Sequence, residues 1–109
     1  MSYQKTLMQD AAGATGNGTT MGVKERGGAI HFENIGSPVG TVTFEGALNA
    51  AEDAFIAVPL ETATGTLVTS TTTPGYFRLP LNHGLAVVRA RISAFTSGAF
   101  SIHGATTRR

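Results

Sequence analysis

Five cations carry most of the recognition chemistry this sequence offers. Arg78 sits in "YFRLPL", Arg89 and Arg91 alternate with Ala90 and Ile92 in "VVRARIS", and Lys24 and Arg26 flank a glutamate in "VKERGG". A guanidinium is a planar fork that donates paired hydrogen bonds to a carboxylate, so a basic stripe of this kind suits docking on acidic groups of a partner protein. The simpler alternative is the solvated face of a strand. Arg78, Arg89, Arg91, Lys24 and Arg26 are therefore the candidate partner-binding residues. Arg108 and Arg109 extend the same charge at the end of the sequence. Nucleic acid is a weaker fit, because the aromatic residues needed for base stacking fall at positions that read as core.

Catalytic chemistry is poorly supplied. "GATGNG" (Gly13 to Gly18) has the glycines of a phosphate loop but lacks the Gly-Lys-Ser/Thr ending and a strand–helix setting. His31, His83 and His103 are scattered, and only His31 and Glu33 have the two-residue spacing that puts both on one strand face. Zinc needs three or four converging ligands, so exposed, solvated histidines are expected instead. Glu52 and Asp53 are neighbours in a loop, whereas a glycosidase pair must approach the sugar from separate points. "GSPVG" has its serine second and a proline next, which is not a nucleophile elbow. The expectation is a protein that is not an enzyme, with no cofactor, no metal and no small-molecule substrate.

The totals agree with a binding or structural role. The chain has 109 residues, enough for one domain with its own core, and no cysteine, which fits folding in a reducing cytosol. No apolar run is long enough for a signal peptide or a membrane span. Net charge is only +1, with charged residues at 14%. That gives no global attraction to nucleic acid, and no membrane association is expected. All seven acidic residues lie before residue 71, and five of the eight Lys and Arg lie after it. Such a split suits head-to-tail contact between subunits as well as it suits an anionic ligand.

The elements that must position these cations read as strands. "GTVTFEG" places Val42 and Phe44 on one face and Thr41, Thr43 and Glu45 on the other. "AFIAVPLE" follows, with Pro59 suggesting an edge or a bulge, then the β-branched "GTLVTST", the turn "TTPG", and "YFRLPL". In the last hairpin Val88, Ala90 and Ile92 share a face, opposed by Val87, Arg89 and Arg91, and Phe100 and Ile102 oppose Ser101 and His103. Gly98 suits the left-handed position of the turn between them. "GALNAAEDAF" is expected to be a loop with at most one helical turn. Short strands separated by Gly, Pro and Asn turns indicate an all-β antiparallel sandwich or jelly roll over residues 29–109. Residues 1–28, Gly-rich and with little periodicity, read as an N-terminal arm or long loop set before the domain: a floppy leader, a first strand followed by a long loop, or an arm that orders only against a neighbouring subunit.

From Val39 onward, the ordered series "VTFEG", "AFIAVP", "TGTLVTSTTTPGYFRLPL", "GLAVVRARISAFTSG" and "FSIHG" resembles small β-sandwich virion proteins of tailed bacteriophages. Two positions depart from the pattern: "ALNAAED" replaces an Asp-Gly turn, and Phe55 stands where tryptophan is usual. The resemblance implies a virion structural protein, made in the bacterial host cytoplasm and placed on the capsid surface as a decoration, or cement, protein. Its implied partners are the major capsid protein and copies of itself, as a dimer or trimer. The resemblance also admits a receptor- or glycan-binding module of a tail or fibre, or a tail or connector protein.

Overall fold

The computed structural model describes residues 3–49, 54–80 and 83–107. Glu52, Asp53, Arg108 and Arg109 lie outside the described residues. The elements are all strands: β1 (Tyr3–Ala12), β2 (Met21–Gly22), β3 (Gly28–Phe32), β4 (Val39–Ala47), β5 (Ile56–Ala57), β6 (Leu60–Thr62), β7 (Leu67–Val68), β8 (Ser70–Thr71), β9 (Gly75–Arg78), β10 (Val87–Ser97) and β11 (Phe100–Thr107). They form two sheets. One has six strands in the order β1-β11-β3-β9-β6-β7, and the other has the order β2-β10-β4-β5, with β8 also on β4. Every pairing is antiparallel. The expected β-sandwich is what the chain forms.

Two-residue alternation builds the core. Val42 and Phe44 of β4 and Val88, Ala90 and Ile92 of β10 point inward and are fully buried, as are Phe100 and Ile102 of β11. Ile30, Phe32, Phe77 and Leu60 lie beside the β11 pair in the six-stranded sheet and face the β4 and β10 residues across the core. Phe32 stacks on Phe100 with ring centroids 5.5 Å apart, and Phe44 tilts against Phe77 at 4.9 Å. Such contacts add to area burial because offset or tilted rings match edge to face. Val87 departs from its expected outward environment and is buried near the start of β10.

The chain changes sheet eight times among the described residues, the expected hairpin turn between β10 and β11 included, and three of these crossovers bear most on the sequence reading. Pro59 stands between β5 in one sheet and β6 in the other, so it marks a crossover rather than an edge or a bulge. "GTLVTST" is likewise divided: β7 pairs with β6, then β8 pairs with β4, and the Thr69 carbonyl between them accepts from Phe44 N at 2.9 Å. Of "GALNAAEDAF", residues 46–47 finish β4, 48–49 and 54–55 are irregular, and 50–53 lie outside the described residues.

The third crossover follows a first strand and a long loop, one of the alternatives read for residues 1–28, and corrects the domain boundary at residue 29, because that strand belongs to the sandwich. β1 pairs with β11 from Tyr3↔Thr107 to Ala12↔Phe100. Register shifts fall between Leu7 and Gln9 and between Gln9 and Ala12. They turn Met8 and Gln9 both inward, although they are adjacent. Gln9 Nε2 then donates to Ala90 O at 2.9 Å and Gly16 O at 3.2 Å, which joins the two sheets. Gly16 and Ile92 exchange backbone hydrogen bonds of 3.2 and 2.9 Å. Gly18, at φ 71, passes so close to the Met8 carbonyl and the Gln9 side chain that a Cβ there would collide with both. "GATGNG" is thus the strap over one side of the sandwich. Met8, Met21 and Val23 place the same segment in the core.

Candidate docking surface

The candidate cations fall in three places. On the outer face of the five-member sheet, β4 and β10 pair Glu45 with Arg89 and Thr43 with Arg91. Arg89 donates from Nε at 2.9 Å and from Nη2 at 2.7 Å to Glu45 Oε1. Arg91 Nη1 reaches Glu45 Oε2 at 3.4 Å. One carboxylate therefore serves two guanidiniums, leaving a net positive charge. The side chains of Arg89 and Glu45 are only 16% and 12% exposed, against 45% for Arg91. Phe55 shields the inner pair, with the Arg89 guanidinium 3.7 Å from its ring centroid. Thr43 and Ser93 continue the polar face through a 2.7 Å hydroxyl contact.

Arg78 lies on the outer face of the other sheet, so it is not part of a stripe with Arg89 and Arg91. Register opposes it to Glu61, and Arg78 Nε donates to Glu61 Oε1 at 3.0 Å. Both groups are well exposed, so the pair contributes little to stability. Across the same face, β11 and β3 oppose His103 to His31, and β3 and β9 oppose His31 to Tyr76. His103 Nε2 contacts Glu33 Oε2 at 2.7 Å. These side chains and Lys5 wall a shallow groove of about 280 Å³, floored by Ala29, Gly104 and Ala105.

Lys24 and Arg26 stand at the third place, where the sheets part at one end. His83 braces that end, which corrects its expected solvated role. Leu85 N donates to His83 Nδ1 at 2.9 Å, so Nε2 carries the proton and donates to Arg26 O at 2.8 Å. Among the described residues no three His, Cys, Asp or Glu side chains are placed to hold a metal ion. No helix among them is long and apolar enough to cross a membrane.

Arg78, Arg89 and Arg91 are thus already matched within the chain, and their partners Glu61 and Glu45 were missed as site residues. Alternation placed Glu45 on an outer face, but which strand lies beside it depends on register. The acidic first part of the chain and the basic last part are complementary inside one molecule, rather than only between subunits.

No family model matches the sequence, and no curated protein sequence does. The fold is shared with two prophage proteins. The crystal structure of the SPBc2 prophage-derived protein YomS matches at TM-score 0.81 and 16% identity, covering 96% of this chain and 92% of that one. The PBSX exported protein XepA matches at TM-score 0.82 and 14% identity, covering 96% of this chain and 37% of that one. At such identities the likeness is one of fold.

Proposed function

We propose that this chain is a non-enzymatic structural protein of a phage virion, in its most specific form a capsid decoration protein. The observation that carries the reading is the near end-to-end agreement in fold with YomS, a prophage-derived protein. The surface chemistry is compatible with it: flat strand faces with paired charges, and Arg91 with much of its guanidinium open to a partner carboxylate. Docking across capsomer boundaries stabilises a head because separating capsomers must also break many repeated modest contacts. The partners are the major capsid protein and further copies of this chain. The test is to mix the purified protein with expanded capsids lacking it and heat them. Binding and a raised rupture temperature are expected; no binding and an unchanged temperature overturn the proposal.

A second reading, a tail or fibre module that binds glycan, is favoured by the groove between Tyr76, His31, His103, Glu33 and Lys5. An exposed ring beside several hydrogen-bonding groups is what a sugar face requires. Binding to a glycan array that is lost in Tyr76→Ala supports this reading, and a blank array removes it.

A further inference from the structure

We propose that the opening between the two sheets is an oxyanion-binding pocket, held by the Lys24 ammonium and the hydroxyls of Thr106 and Thr6. The cavity is about 250 Å³ and is lined by Thr6 and Thr106 from one sheet, Met21 and Ala86 from the other side, and Lys24 and Arg26 at the rim. Among the described residues no carboxylate lines it.

Three observations converge on it. Thr106 is 2% exposed, and its side chain makes no hydrogen bond among the described residues. Among the described residues no side-chain polar atom is sealed from solvent without a partner, so this hydroxyl opens into the cavity that Thr106 lines. Lys24, unlike Arg78, Arg89 and Arg91, makes no ion pair among the described residues. The turn that holds it is fixed at both ends. Arg26 N donates to Val23 O at 3.1 Å, and Val23 N donates to Ala86 O at 2.9 Å.

Glu25 occupies the third position of that turn at φ 57, a left-handed conformation that a residue with a side chain adopts at a cost. The conformation puts Lys24 and Arg26 on the lining while Glu25, between them in sequence, is exposed and outside it. A carboxylate is thereby kept away from a positively charged opening. The volume is below the range typical of drug-sized ligands, so the pocket suits a single carboxylate or phosphoryl group. The site does not depend on a virion role.

The test titrates the intact protein with inorganic phosphate and, separately, acetate, in low salt, following the Met21 and Thr106 amide resonances by NMR. Saturable shifts at both residues are expected, with affinity falling as salt is added. Lys24→Gln should weaken binding about tenfold and Thr106→Val about fivefold, while Thr106→Ser, which keeps the hydroxyl, stays near the starting affinity. Tighter binding of phosphate assigns a phosphoryl ligand; tighter binding of acetate assigns a carboxylate presented by another molecule. The absence of saturable shifts overturns the site. So does unchanged binding in Lys24→Gln, or an equal loss in Lys5→Gln, a lysine away from this cavity.

Discussion

Glu45 accepts hydrogen bonds from two arginines at once, which changes what removing those arginines should do. Outward-facing residues on a strand can ordinarily be replaced with little loss. Here the double change Arg89→Ser with Arg91→Ser leaves a carboxylate that is 12% exposed without its donors. It should cost about 1–3 kcal/mol in urea denaturation, and adding Glu45→Ala should recover part of that loss. A neutral double variant would show that Glu45 is solvated and the pair incidental. Gln9 makes a similar demand on the opposite side. Gln9→Leu withdraws the donor from the carbonyls of Ala90 and Gly16, and a loss of about 2 kcal/mol should follow, read from the same unfolding curves.

At the scale of elements, the core strands should behave as their burial dictates. Ile92→Ala and Phe100→Ala should each lower stability by about 2–5 kcal/mol, because both side chains are fully enclosed. Gly98, at φ 83, sits against the carbonyls of Gly36 and Ser37, so Gly98→Ala should lower the melting temperature by several degrees, measured calorimetrically. β4, β10 and β11 were legible in the sequence because each keeps a strict two-residue period over most of its length. β5 to β8 were legible only as extended chain. A period of two reports which face is apolar, but not that the chain changes sheet at Pro59 or Thr69. β1 was only one of several alternatives for its segment, because register shifts around Gln9 put adjacent residues inside together, erasing the alternation that would have singled it out. Deleting residues 1–12 therefore tests the corrected architecture. The truncated chain loses Met8, Gln9 and a neighbour of β11, and should fail to give a cooperative transition, whereas a detachable arm would leave the melting curve unchanged.

At the scale of the whole molecule, the candidate site was legible in its residue types but not in its grouping. The sequence supplied the cations. Only the fold separates Arg78 from Arg89 and Arg91, matches all three with carboxylates, and places Lys24 at the opening between the sheets. The charge that remains is therefore local rather than a continuous field, and long-range steering toward a partner should be weak. The capsid association proposed above should accordingly slow only modestly as ionic strength rises, a trend that stopped-flow light scattering would measure. A steep fall with salt would mean that a broad electrostatic surface governs the encounter.

The pairing of Tyr3 with Thr107 also constrains when the protein can become itself. On the ribosome, β1 emerges long before β11, and until that late strand arrives its inward-facing methionine has no sheet to join. Contacts so distant along the chain make for slow folding. Sealing is thus deferred until β11 has been made, and the newborn chain must keep β1 from pairing with a stranger while it waits.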